Sequence, residues 1–398
     1  MKLSTKGQKI NASLTLAISA KAKSMKAEGL DVVGFGAGEP DFETPEYIAE
    51  AGREAIDKGF TNYTPASGTT ELKKAVADKF RRDNGLEYDL DQIIISNGAK
   101  HCLFNTFQAI LNPGDEVIVP LPYWVSYPET VKMGGGEPVF VEASEDNNFK
   151  VKIDDLKETV NDKTKALILN SPNNPTGCVY SEDELKEIGK LAVEKDFFIV
   201  SDEIYEELVY EDLVHTSIAS LGEDIKEHTI VINGMSKAYA MTGWRIGFAA
   251  GPKKVIKIMS NLQSHATSNP NSIAQYASRV GLQGGKEAVA RMVEQFEERR
   301  DFMVDKVNSI PHLSCTKPRG AFYVMINISE LIGSTFGGKE IDGSMSFADI
   351  LLDSEHVAVV PGKAFGRDKF VRLSYATSLN EIEKGLERIE KFVDKINN

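Results

Sequence analysis

Between about residue 90 and residue 250 the chain repeats one pattern, a short and nearly unbroken apolar run followed by a stretch with helical spacing. The runs fall at 93–95, 117–119, 138–141, 166–169, 197–200, 229–232 and 246–249. A strand with one wet face alternates apolar and polar residues, whereas a run without alternation needs cover on both faces. Strands of this kind separated by helices predict an α/β fold with a mostly parallel seven-stranded sheet between helices. Helix signals sit in the gaps. One helix is expected over 101–111, closed by Asn112, Pro113 and Gly114. Another is expected over 182–194, with Ser181 as N-cap and Glu184 three residues on, the spacing of a capping box.

The pattern changes near residue 286. Val289, Met292, Val293, Phe296, Met303, Val304 and Val307 recur at helical spacing along one long amphipathic helix. Strand-like runs follow at 322–326, 357–360 and 370–374, and a terminal helix carries Ile382, Leu386, Ile389, Phe392 and Val393 on one face. This part is expected to form a smaller α+β domain. A chain of 398 residues has room for two domains at roughly 150 residues each.

Composition narrows the function. A formal net charge of −13 argues against nucleic acid as a partner, because phosphate backbones attract basic surfaces. No stretch approaches the ~20 apolar residues of a membrane span. Cys102, Cys178 and Cys315 are odd in number and widely spaced. They suit neither a disulfide framework nor a metal site, so a reducing cytoplasm is expected and no metal.

Chemistry concentrates at the ends of the apolar runs. After 229–232 come Asn233, Gly234, Met235, Ser236 and Lys237, with Arg245 eight residues beyond the lysine. A partly neutral lysine can form a Schiff base with an aldehyde, and a hydroxyl with a guanidinium can grip a phosphate. Together they suggest pyridoxal 5'-phosphate (PLP). Asp202 ends the run 197–200, where a carboxylate can pair with a pyridine nitrogen, though a solvated helix start reads similarly. Gly98, Ala99 and Lys100 open a helix whose free N–H groups suit a phosphate. Trp124 offers a flat ring to stack on a cofactor; a core aromatic is the bland alternative. Arg372 alternates with apolar residues along a strand, so it either snorkels to solvent or faces a buried anion. Gly34, Gly36 and Gly38 lack the spacing of a dinucleotide loop.

The segment 234–247 resembles the lysine attachment signature of class I and II aminotransferases, PLP-transferases of fold type I. Four further segments share the likeness: 96–101, 122–128, 170–177 and 199–205. The resemblance implies that Lys237 binds PLP, that Tyr205 and Asn174 hold its phenolic oxygen, and that Trp124 stacks on its ring. It implies that Arg372 receives the substrate α-carboxylate under a loop led by Gly38. Tyr63 would reach the phosphate of a neighbouring subunit, making a homodimer with shared active sites. Residues 1–45 would join 286–398 in the small domain, leaving 46–285 as the large one.

The resemblance covers nearly the whole chain and is nearest to the bacterial Iγ (Ib) aspartate aminotransferases. In that subgroup Ser13, Thr15 and Lys100 match residues associated with the distal carboxylate. The activity implied is transfer of the amino group of L-aspartate to 2-oxoglutarate by a ping-pong mechanism, with Lys237 as general base and acid. Transamination of alanine, aromatic acids or prephenate, and C–S lysis, are the alternatives. Relatives that use prephenate carry a lysine where this chain has Asn11, which speaks against that activity.

Overall fold

The computed structural model describes residues 2–8, 10–11 and 14–396. The seven apolar runs become one sheet: β1 (Ile93–Ser96), β2 (Glu116–Leu121), β3 (Glu137–Glu142), β4 (Thr164–Asn170), β5 (Phe198–Asp202), β6 (Thr229–Gly234) and β7 (Gly247–Ala250). They lie in the order β1-β7-β6-β5-β4-β2-β3. Only β7 is reversed, antiparallel to both β1 and β6. Every residue of β1 and β6 is buried, which is why their sequences show no polar alternation. Edge strand β3 differs: Glu137, Phe140 and Glu142 are exposed. Charged ends and Pro138 blunt its free edge against pairing with another chain.

Helices cover the sheet and tie the ends of the chain together. They include α1 (Leu14–Ala27), α2 (Thr70–Asn84), α3 (Ala99–Ile110), α4 (Glu182–Lys195), α5 (Glu287–Ser309) and α6 (Leu379–Ile396). Helix α3 begins two residues before its expected start because Gly98, at φ 88°, turns the chain directly into it. Helix α4 has the expected capping box. Ser181 Oγ accepts from the Glu184 N–H at 3.4 Å, and Glu184 Oε2 accepts from the Ser181 N–H at 2.7 Å. Along α5 the apolar positions Val289, Met292, Phe296, Met303, Val304 and Val307 are buried, but so are Arg299 and Arg300. Arg300 lies 2.7 Å from Asp301 and 3.0 Å from Glu297, with its guanidinium over the Tyr210 ring. A buried cation survives because such partners replace its water.

The C-terminal part is built on antiparallel β8 (Tyr323–Asn327) and β9 (Phe370–Ser374), paired with Met325 opposite Arg372. The run 357–360 was expected as one strand and is two. Val357–Ala358 pairs in parallel with Val33–Gly34, and Val360–Pro361 pairs antiparallel with β9. Pro361 has no N–H to donate, so pairing there stays short. The N-terminal segment is stitched on here. The Phe35 N–H donates to the Ala358 carbonyl at 2.8 Å, and the Ser374 N–H donates to the Phe35 carbonyl at 2.9 Å. Among the described residues no helix is long and apolar enough to cross a membrane.

Candidate active site

The turns after β1, β2, β4, β5 and β6 converge on one cavity of about 430 Å³. Open α/β sheets hold ligands at this edge, outside the carboxyl ends of their strands. Strand register sets Asn170 beside Asp202, and Asp202 beside Ile232, so three consecutive turns reach the same floor. Lys237 rises from the turn after β6. Its amine donates to the Gly38 carbonyl and lies 5.8 Å and 5.7 Å from the ring centres of Tyr205 and Phe322. Burial lowers its pKa to about 8; the Arg372 and Arg245 charges act the same way, against Glu39 and Asp202.

Asp202 is buried at the end of β5, and that burial lifts its carboxyl to about 6. Two donors oppose the rise, the Tyr127 hydroxyl at 2.8 Å and the Ile204 N–H at 3.3 Å. Asn170 braces the neighbouring turn: its Nδ2 donates to the Asp202 carbonyl and its Oδ1 accepts from the Asn174 N–H, each at 2.8 Å. Asn174 Oδ1 in turn accepts from Arg372 Nη1 at 3.0 Å. The buried Arg372 guanidinium lies 4.3 Å from the Tyr323 ring centre and 5.0 Å from that of Phe365. Its Nη2 donates to the Gly36 carbonyl at 3.3 Å, while its buried Nε has no hydrogen-bond partner. Tyr205 and Tyr323 join their hydroxyls at 3.0 Å.

The opposite end of the cavity is cationic. Arg245, itself at φ 59°, donates to the Thr242 carbonyl at 2.8 Å and the Asn97 carbonyl at 3.1 Å. Gly98 lies against it so closely that a Cβ there would stand 2.5 Å from Arg245 Nη2. No side chain caps the N-terminus of α3, and its first residue, Ala99, lines the cavity together with Arg245 and Ser236. On the adjoining wall Trp124 meets Tyr127 edge-on at 5.3 Å, and the Lys100 amine lies 4.7 Å from the indole centre. Partial enclosure, then the Arg245 charge, lower the Lys100 pKa.

The sequence matches the family model for aminotransferase class I and II over residues 30–389. The chain belongs to that family. This aminotransferase is similar to the aspartate aminotransferase of Bacillus subtilis (strain 168), with 51% identity covering 99% of this chain and 100% of that one. Its fold is similar to the crystal structure of the aspartate aminotransferase from Rhizobium meliloti, with a TM-score of 0.96, 42% identity and 100% of each chain covered. It also resembles the Thermus thermophilus aspartate aminotransferase with maleate, at a TM-score of 0.93 and 44% identity, covering 98% of this chain and 100% of that one.

In this aminotransferase most of the residues singled out from sequence share the cavity. Gly38, Ala99, Lys100 and Trp124 line it, as do Asn174, Asp202, Tyr205, Ser236, Lys237, Arg245 and Arg372. Gly98 lies just behind them. Tyr63 does not join them; it is 91% exposed and apart from the cavity. Ser13 lies outside the described residues, and Thr15 is described only as part of the α1 backbone. The sequence reading missed Tyr127, Asn170, Glu39, Thr242 and Tyr323, which also line the cavity. Tyr127 and Asn170 stand inside segments already singled out and were legible there. Tyr323 carries no local signal; only the pairing of β8 with β9 brings it beside Arg372.

Proposed function

We propose that this chain is a PLP-dependent aspartate aminotransferase that moves the amino group of L-aspartate to 2-oxoglutarate, giving oxaloacetate and L-glutamate by a ping-pong mechanism. The observation that carries the reading is one cavity holding an amine brought to about 8, a buried carboxylate and a buried arginine with an unpartnered Nε. The donor set fits PLP. A phosphate monoester suits the uncapped start of α3 with Ser236 and Arg245, where the missing Cβ of Gly98 lets guanidinium and backbone lie together. Asp202 suits a protonated ring nitrogen, which would relieve the penalty of burying its charge. Trp124 offers a stacking face, and Tyr205 and Asn174 offer polar atoms to the phenolic oxygen. When bound, PLP supplies an aldehyde that carries the amino group between half-reactions and a ring that withdraws electrons from the substrate Cα.

The protein's own part is positioning and proton movement. Lys237, close to half neutral near pH 8, is suited to take the proton from the substrate Cα and to return it across the amino nitrogen, where the aldehyde carbon of PLP would lie. Arg372, stacked and fixed, receives the α-carboxylate through Nε and a terminal nitrogen, with Gly38 in the loop above. Lys100, with Ser13 and Thr15, receives the distal carboxylate. Maleate in the Thermus thermophilus relative is itself a dicarboxylate, which supports that preference. Tyr63, exposed in one chain, is assigned to the partner's phosphate site in a homodimer. We further assign 46–285 to the large domain, and 1–45 with 286–398 to the small one. The three cysteines are free, two of them buried, which suits a cytoplasmic protein.

The direct test is oxaloacetate formation from aspartate and 2-oxoglutarate, together with borohydride reduction of the holoenzyme and mapping of the modified residue. The reading predicts oxaloacetate and a reduced cofactor fixed on Lys237. Pyruvate and ammonia from cystathionine with no oxaloacetate would overturn it, as would a label on any other residue.

A further inference from the structure

Behind the turn that carries Asp202 and Tyr205 lies a second, enclosed set of charges. Glu203 is 1% exposed; it accepts from the Ser201 and Ser217 hydroxyls at 2.8 Å each and lies 3.2 Å from His215 Nε2. Glu206 pairs with the buried Lys79 of α2 and accepts from Asn84 Nδ2 at 2.9 Å. Lys79 also donates to Asn84 Oδ1 at 2.6 Å and has Asp83 at 3.8 Å. The ligating atoms of Glu203, Glu206 and His215 fall within 4.8 Å of one another, and Lys79 and the two serine hydroxyls are already bound to the two carboxylates. The buried Tyr88 hydroxyl, without a partner, also feels the Glu203 charge.

Charge balance decides what this cluster does. Two buried carboxylates face one ammonium, so a neutral imidazole would leave one anion uncompensated in a medium that penalises it. Burial opposes a proton on His215. The bond to Glu203 and the charges of Glu203 and Glu206 outweigh it, against Lys79, and the net direction is upward. The cluster is also mechanically continuous with the site. The Glu203 N–H donates to the Ile232 carbonyl and the Glu206 N–H to the Glu203 carbonyl, each at 2.9 Å. Glu203 is among the charges that act on Asp202 from behind.

We propose that the Glu203–His215 pair is a positioning element of the catalytic centre, fixing the turn that carries Asp202 and Tyr205 while the imidazolium cancels the field of Glu203 at Asp202. It rests on the proposed function, since it acts through Asp202 on the bound PLP. The test compares His215→Gln, Glu203→Gln and the double variant as PLP-loaded enzymes. It reads the pH midpoint of the cofactor's visible absorbance, the melting temperature, and kcat and KM for aspartate. Losing the cation should raise the midpoint and losing the anion should lower it, each by something of order half a pH unit, one uncompensated charge at modest distance. The double variant leaves no unpaired charge and should return toward wild type. In His215→Gln, kcat should fall roughly threefold to tenfold while KM changes by less than about twofold, since Arg372 is untouched.

A role in packing alone moves melting temperatures without opposite midpoint shifts. Midpoints that move together or not at all in folded, loaded variants overturn the proposal. Should a single variant fail to fold, a double variant far from the wild-type midpoint overturns it equally. Failure of borohydride to fix a cofactor on wild-type Lys237 would instead overturn the functional reading beneath it.

Discussion

Replacing Asp202 by asparagine should make the cofactor-free protein more stable while destroying the enzyme. The carboxyl is buried and moved from an ordinary 3.8 to about 6, so the folded state binds its proton more tightly than the unfolded chain does. Stability from that proton is fully present below about pH 4 and is lost as pH rises through about 6. A displacement of roughly two pH units is about 3 kcal/mol once the group is ionised in both states. Asparagine keeps the shape: its Oδ1 can accept from the Ile204 N–H while its Nδ2 donates to the Tyr127 hydroxyl oxygen, so most of that amount should reappear as a gain. Urea unfolding of the PLP-free proteins, at one fixed protein concentration, should show the variant ahead by about 2–3 kcal/mol at pH 8. The gap should narrow to about half by pH 5. With PLP bound the order should reverse, because only the carboxylate can pair with a protonated ring nitrogen. A wild type equal to the variant at pH 8, or a gap that ignores pH, would refute the reasoning.

Other outcomes follow from single contacts. Gly98→Ala places a Cβ 2.5 Å from Arg245 Nη2 at a backbone φ of 88°; a titration should show PLP affinity reduced by at least about tenfold. Arg372→Lys removes the planar fork from its stack between Tyr323 and Phe365; steady-state kinetics should show KM for aspartate raised roughly 30-fold or more, the worth of about 2 kcal/mol. Ser181→Ala removes one half of the α4 capping box; urea unfolding should show a loss of about 1 kcal/mol with kcat unchanged.

The sheet was legible because its strands are covered on both faces, so burial wrote itself as unbroken apolar runs. Only β3 departs from that rule, with three of its six residues exposed. The turns at the strand ends were legible because each carries a chemically unusual residue directly after an apolar run, as Lys237 and Asp202 do. What the chain did not display were contacts between distant segments. Tyr127 and Asp202 are 75 positions apart, and Tyr205 and Tyr323 are 118 apart; nothing local to either partner marks the other. Helix α5 shows a second limit. Hydrophobic spacing located it correctly, yet Arg299 and Arg300 are buried beside its apolar residues, because Arg299 pairs with the distant Asp41, and Arg300 pairs with Glu297 and Asp301 of the same helix beneath the Tyr210 ring. His215 is similar: a lone histidine in a loop, it becomes informative only once Glu203 and Glu206 stand beside it.

The hydrogen bond between Arg372 and Asn174 joins β9 to the turn after β4, from opposite halves of the fold. On the proposed reading, an incoming carboxylate finds a guanidinium held by an amide and two aromatic faces, with Nε still open to it. Capture would then give the unpartnered Nε its acceptor, with little rearrangement of the guanidinium. Whatever shifts that amide shifts the guanidinium too, so on the proposed assignments cofactor and substrate would share a single mechanical linkage.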